Sequence, residues 1–197
     1  MDYHCAMKSL SIAWKGLLSG LTAVCALAFG SAAPGHAQGA SPFIYEAKFG
    51  ILYHDVGGLW SGFRLETGGV DINGELMLAP ALPIFGGAIR PVIGGTYNTD
   101  GYTSKAYAGA RWQIELPHNF YFGVGLGAAV HDGHLIPDAL DRKALGGRWL
   151  FHIPAEIGYR FDQHNSFSIY FEHMSNGNTQ KYNEALDSIG VRYGYRF

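Results

Sequence analysis

Between residue 43 and the C-terminus, apolar side chains recur at every second position in eight separate segments. Strand side chains alternate between the two faces of a sheet, so each segment is predicted to be a strand with one apolar face. The opposite faces are polar, charged or rich in glycine. The predicted strands cover residues 43–54, 70–78, about 84–97, 105–116, 120–131, 148–161, 167–175 and 188–197.

The length of these segments indicates that they cross a membrane. No apolar run after residue 37 approaches the roughly 20 residues of a transmembrane helix, whereas a tilted strand crosses a bilayer with about 9 to 11 residues. An open sheet would leave its edges without hydrogen-bond partners in hydrocarbon, so the strands must close on themselves. The predicted fold is an all-β, eight-stranded antiparallel transmembrane β-barrel.

A soluble eight-stranded barrel, such as a lipocalin, is the alternative fold. That fold places apolar residues inside and polar residues outside. Here the polar faces carry many charges, which a membrane barrel can pair in its interior. The charged residues on these faces are Glu46, Lys48, Asp71, Glu75, Arg90, Arg111, Glu115, Arg148, Glu156, Arg160, Glu172, Arg192 and Arg196.

Residues 1–37 have the features of a secretory signal peptide. Lys8 and Lys15 flank an apolar run over residues 16–30, and Gly35-His36-Ala37 is a small-x-small cleavage pattern. The mature barrel domain is therefore predicted to span residues 38–197. Both cysteines of the chain lie in the predicted signal peptide, so the mature chain has no disulfide or thiolate chemistry.

Composition and loop length narrow the function further. The formal net charge is −2 and no basic stripe occurs, so a nucleic acid is not an expected partner.

The predicted connections alternate between long and short, as in outer-membrane barrels with long extracellular loops and short periplasmic turns. Both termini are then periplasmic, and the seventh predicted strand runs outward.

The seventh predicted strand ends in a polar pair on its apolar face. His173 and Ser175 continue the face of Phe167, Ile169 and Phe171. A histidine two residues from a serine on one strand face can take its proton and activate it as a nucleophile. At this position the pair would face the headgroup and acyl region of the outer leaflet, where a polar pair indicates a function.

The histidine needs an acidic partner, and the reaction needs donors for the oxyanion. Asp187 shares the outward parity of the eighth predicted strand, whereas Glu184 has the opposite parity and lies in the preceding loop. Either carboxylate is a candidate. Asn176 and Asn183 are candidate oxyanion donors or residues that flank the site.

Several segments resemble the lipid A 3-O-deacylase (PagL-type) family of outer-membrane barrels. They are His173-Met174-Ser175-Asn176, Asn183 to Asp187, Gly190 to Phe197, Asp71 to Leu76, Tyr107-Ala108-Gly109 and His131-Asp132-Gly133. The resemblance implies an outer-membrane esterase that removes the ester-linked acyl chain at the 3-position of lipid A. Ser175 would be the nucleophile, His173 the base and Asp187 the acid. The best-characterised pattern of the family has Glu as the acid, so Asp187 departs from it and Glu184 stays open.

The resemblance implies no cofactor, lipid A or lipopolysaccharide as substrate, and the Gram-negative outer membrane as location; it leaves a homodimer open. Two other functions also remain open: a non-catalytic structural or adhesive barrel, and a lipid A acyltransferase. His131 and His134 lack a third ligand in the loop, so a metal site is not predicted.

Overall fold

The computed structural model describes residues 43–61 and 65–197, and the predicted signal peptide lies outside this part of the chain. Within these two ranges, nine strands and one short 3-10 helix over Pro117–Asn119 follow one another. The strands are β1 (Ile44–Tyr53), β2 (Val70–Leu78), β3 (Leu82–Ile84), β4 (Gly87–Asn98), β5 (Lys105–Glu115), β6 (Phe120–His131), β7 (Trp149–Arg160), β8 (Asn165–Ser175) and β9 (Leu186–Arg196).

Eight of these strands close into an antiparallel barrel. The hydrogen-bonded order is β2-β1-β9-β8-β7-β6-β5-β4, and β2 pairs with β4 to complete the ring. The first strand is closed against the last, with Phe49 opposite Tyr193. The predicted eight-stranded barrel is confirmed. Closure leaves no long sheet edge unpaired, which is what hydrocarbon requires of a spanning sheet.

The third predicted strand differs from the structure. The sequence predicts one strand from about Ile84, but Ile84 ends β3 and pairs with Gly87 at the start of β4. Phe85 and Gly86 form the two-residue turn between them with positive φ angles of 51° and 74°. Sequence reasoning missed this turn because a phenylalanine with positive φ is rare.

Pro91 is tolerated inside β4 because of where the neighbouring ladders end. β4 pairs with β2 as far as Val92 and with β3 from Ile89. Pro91 therefore lies between the two ladders. A proline has no N–H to donate, so this interval is a suitable place for it.

Paired ions fill the centre of the barrel. Glu156 accepts hydrogen bonds from Lys48 and Arg192 at 2.7 Å and from Arg111 at 3.1 Å. Glu75 lies 2.8 Å from Arg111. All five side chains are buried. Buried charges are acceptable only when they are paired, and these strands bring cations and carboxylates together in the interior.

The outer surface of the barrel is apolar. Its exposed side chains include Ile51, Ile72, Ile93, Leu126, Ile157, Ile169 and Val191. Alternation along each strand thus separates an apolar exterior from a charged interior, as predicted. Among the described residues, no helix is long and apolar enough to cross a membrane.

The strand order places the long connections together at one end of the barrel. They are loops 54–69, 99–104, 132–148 and 176–185, and the shorter turns lie at the other end. The N–H of Phe197 donates to the carbonyl of Tyr45 at 3.1 Å, so the beginning of β1 and the end of β9 share the end with the short turns. β8 therefore ends among the long loops.

We expect the interior ion network to stabilise the barrel far more than ion pairs at its ends. Glu156→Gln should lower the free energy of unfolding by about 3 kcal/mol or more, because three buried cations lose a shared counter-charge. Glu115→Gln is the matched control: its half-exposed carboxylate pairs with Arg160 and Arg196, and its loss should cost about 1 kcal/mol or less. Urea unfolding of the protein in detergent micelles, followed by gel mobility, measures both. Equal midpoints for the two variants would contradict this account.

Candidate active site

The end of β8 carries the candidate residues on the outward face. Phe167 and Ile169 of β8 are exposed, whereas Tyr170 and Met174, which have the opposite parity, are fully buried. His173 and Ser175 share the parity of Phe167. The alternation of a strand therefore directs both side chains away from the barrel interior.

The register between β8 and β9 brings an acid to the histidine. His173 and Asp187 are directly paired Cα partners. The Nδ1 atom of His173 lies 2.6 Å from Oδ1 of Asp187, which is hydrogen-bond distance. Paired residues on one face of an antiparallel ladder have neighbouring Cβ atoms, so a short aspartate is sufficient here.

The second ring nitrogen of His173 faces the serine. Nε2 lies 3.2 Å from the Oγ atom of Ser175. With Nδ1 protonated and donating to Asp187, Nε2 is free to accept the serine proton. A nucleophile, a base and an orienting acid in this order are the arrangement that activates a serine.

Asp187 is held by a loop as well as by His173. Its Oδ2 atom accepts the backbone N–H groups of Trp60 and Ser61, each at 2.7 Å. The carbonyl of Asp187 accepts the N–H of Val56 at 2.8 Å. The loop segment that follows β1 therefore folds over β9. It fixes Oδ2 against its own backbone, while Oδ1 lies against the histidine. Nothing in the sequence pattern linked this loop to the site.

Trp60 also covers the histidine. Its ring stacks on the imidazole of His173 with centroids 4.1 Å apart and an angle of 17° between the planes. His173 is only 2% exposed as a result, although it points outward. The sequence predicts a pair open to lipid. In the structure Ser175 is partly exposed, whereas the loop that follows the first strand lies over the His173 ring.

Glu184, the alternative acid, has a different position. Its Oε2 atom accepts the N–H of Ala144 at 2.7 Å, and its own N–H donates to the Ala144 carbonyl at 3.1 Å. These bonds join loop 176–185 to loop 132–148. The acid that the structure brings to His173 is Asp187.

Asn176 and Asn183 flank the site. The side-chain amide of Asn176 donates to the carbonyls of Leu145 at 2.9 Å and Tyr182 at 2.6 Å, and its backbone N–H donates to Oδ1 of Asn183 at 2.9 Å. Both protons of the Asn176 amide are thus bound to main-chain oxygens. In this arrangement the two asparagines shape the loop that follows Ser175.

Buried charges hold the base of loop 54–69. Lys143 lies 2.7 Å from Asp55 and donates to the carbonyl of Ala185 at 2.6 Å. His54 lies 3.1 Å from Glu66. Burial raises the pKa of Asp55 in spite of the Lys143 ion pair. For Glu66 burial also acts to raise the pKa, but hydrogen bonds from His54 and Thr103 outweigh it and lower the pKa.

His131, at the end of β6, and His134, in loop 132–148, contact different residues. The His131 ring lies 2.7 Å from the carbonyl of Gly147, and His134 lies 2.5 Å from Asp138. In the part of the chain that the structure describes, no group of three or more His, Cys, Asp or Glu side chains could hold a metal ion.

A closed eight-stranded barrel with an apolar exterior and a charged interior is the fold of a small outer-membrane protein. The model of the lipid A 3-O-deacylase (PagL) family matches residues 93–196, more than half of the chain. The chain belongs to this family and is a hydrolase of the outer membrane.

The solved structures that are similar to the chain include two outer-membrane proteins. One is the crystal structure of the outer membrane enzyme PagL, with 17% identity, a TM-score of 0.56, and coverage of 78% of this chain and 99% of that chain. The other is the backbone structure of the Yersinia pestis outer membrane protein Ail in a phospholipid bilayer nanodisc, with 12% identity, a TM-score of 0.43 and the same coverage. At these identities the first likeness shows the fold. No curated protein matches the sequence.

Proposed function

We propose that the protein hydrolyses the 3-O-linked acyl ester of lipid A with Ser175, His173 and Asp187, at the lipid-facing outer rim of the barrel. One observation carries the proposal: a hydrogen-bonded chain from Ser175 through His173 to Asp187 in a member of the lipid A 3-O-deacylase family. These three side chains lie on the outward faces of two adjacent strands, β8 and β9, at the end of the barrel that carries the long loops. An esterase whose substrate is itself a membrane lipid needs its nucleophile on that surface.

In the first half of the reaction, His173 takes the proton of Ser175 as Oγ attacks the ester carbonyl carbon. A C–O bond forms and the carbonyl electrons move to the oxygen, which becomes an oxyanion. When this intermediate collapses, the bond to the 3-oxygen of the sugar breaks. The proton held on Nε2 passes to that oxygen, so the deacylated lipid leaves with a free hydroxyl and the acyl group stays on Ser175.

In the second half, His173 takes a proton from water, and the hydroxide attacks the acyl-serine carbonyl. Collapse of this second intermediate breaks the bond to Oγ, which regains its proton from Nε2. The free fatty acid is the second product. Asp187 carries a negative charge beside the imidazolium in both halves, where it stabilises the positive ring without taking its proton.

The surface beside Ser175 suits an acyl chain. Phe151 of β7 is the direct Cα partner of Ser175, and Ile153 is the partner of His173. Phe151 and Trp149 are 50% and 71% exposed on the same outer face. Contacts with these apolar side chains would lay the acyl chain of the substrate along β7, next to the nucleophile.

We expect Ser175→Ala and His173→Ala to abolish the loss of one 3-hydroxyacyl chain from lipid A. Each change removes an atom that must bond to the substrate or carry its proton. Mass spectra of lipid A from a host with a known lipid A structure measure the result. Ser166→Ala and His164→Ala are matched controls, since Ser166 is buried in the barrel and His164 lies in a turn at the opposite end.

The spectra also separate the other functions. An acyltransferase would add a chain, and a non-catalytic barrel would leave lipid A unchanged with all variants. Full deacylation by Ser175→Ala or His173→Ala would refute the assigned roles. Folded-band mobility on gels confirms that each variant has assembled.

The acid can be tested by the kinetics of the purified variants, with purified lipid A as substrate. We expect Asp187→Asn to reduce kcat by about 10² to 10⁴, on the scale that loss of a triad carboxylate has in serine proteases, because the imidazolium loses its counter-charge. Glu184→Gln should stay within about threefold of wild type, since its contacts join two loops. A larger loss in Glu184→Gln than in Asp187→Asn would assign the acid to Glu184.

A further inference from the structure

We propose that Trp60 is a positioning residue for the catalytic histidine: its indole holds the His173 ring between Ser175 and Asp187 and stabilises the ring when it is protonated. The inference rests on the proposed function, because it gives that same site a further residue. Trp60 lies in loop 54–69, outside the 93–196 segment that the family model matches.

The stacking geometry is the first support. A centroid separation of 4.1 Å at 17° is face-to-face contact between indole and imidazole. Both ring nitrogens of His173 have hydrogen-bond partners, so rotation of the ring would break both bonds. A flat aromatic surface against the ring opposes this rotation.

The main chain of the same loop is the second support. The N–H groups of Trp60 and Ser61 both donate to Oδ2 of Asp187. A single dipeptide therefore contacts the acid through its backbone and the base through its side chain. A displacement of the loop would alter the acid and the base at once.

Contacts at the base of the loop hold it at this position. Val56 continues the contact with β9 by donating to the Asp187 carbonyl. Asp55 is paired with the buried Lys143, and Glu66, on the other side of the loop, is paired with the buried His54. These contacts lie at the two ends of the segment that carries the tryptophan.

The charge that develops during turnover gives the indole a chemical role. His173 becomes positive in each transition state, and the face of a tryptophan is the best aromatic partner for a cation. The Trp60 residue as a whole is also 60% exposed, as an aromatic residue at a membrane interface commonly is. The contact therefore stabilises the transition state more than the resting enzyme, so its loss should lower kcat.

Kinetics of the full-length protein purified from outer membranes in detergent test the proposal, with purified lipid A as substrate. Trp60→Ala should lower kcat by about 3- to 30-fold, which is the range expected for loss of a cation–π contact, and should leave KM within about twofold. Trp60→Phe should restore most of kcat because it keeps an aromatic face. Leu59→Ala removes an exposed apolar neighbour and is the matched control, with kcat unchanged.

Two kinetic outcomes would overturn the proposal. Wild-type kcat in Trp60→Ala would show that the stack does not support the base. A rise in KM alone would show that Trp60 binds substrate and does not act through His173.

Fluorescence tests the contact without any turnover. The difference in emission between wild type and Trp60→Phe reports Trp60, and an imidazole stacked on an indole quenches it. We expect His173→Leu to raise this difference signal, because the variant removes the stacked ring and its quenching. If wild type fails to deacylate lipid A but the quenching is present, the proposed function fails while the stack stands. Quenching that is the same with and without His173 overturns the inference itself.

Discussion

The register between β8 and β9 is the constraint on which the site depends. It pairs His173 with Asp187 across the ladder and leaves Ser175 at the end of β8. Strand side chains alternate with a period of two, so a slip of one residue in either strand would separate the acid from the base. The barrel holds this register because both strands must also place apolar side chains outside and charged ones inside.

The interior charges and the outer site are thus two consequences of one pattern. Glu172 of β8 and Arg192 of β9 point inward to partners in the lumen, while His173 and Asp187 point outward on the same strands. Inside, every buried charge needs an opposite charge nearby. Outside, apolar side chains are stable in lipid. The polar side chains of Ser175, His173 and Asp187 are tolerated there because a loop covers part of them.

The alternation of apolar and polar side chains along the sequence was sufficient to predict the barrel, its eight strands and the strand positions of the candidate residues. Asp187 could be preferred over Glu184 on parity alone, and the structure brings it to His173. The contribution of Trp60 could not be foreseen, since it lies 127 residues from Asp187 and loop patterns carry no information on which strand they fold over. The turn at Phe85 was missed for a local reason, its rare backbone conformation. The signal peptide over residues 1–37 and a homodimer stay predictions.

The most direct test of the central claim is covalent labelling of the nucleophile in intact outer membranes. A long-chain alkyl fluorophosphonate partitions into the lipid and reacts with a serine that has been activated by a base. Peptide mass spectrometry should find the adduct on Ser175 in the wild type and should not find it in His173→Ala. Labelling of a different serine, or equal labelling of Ser175 with and without His173, would contradict the account of an outward-facing, histidine-activated serine.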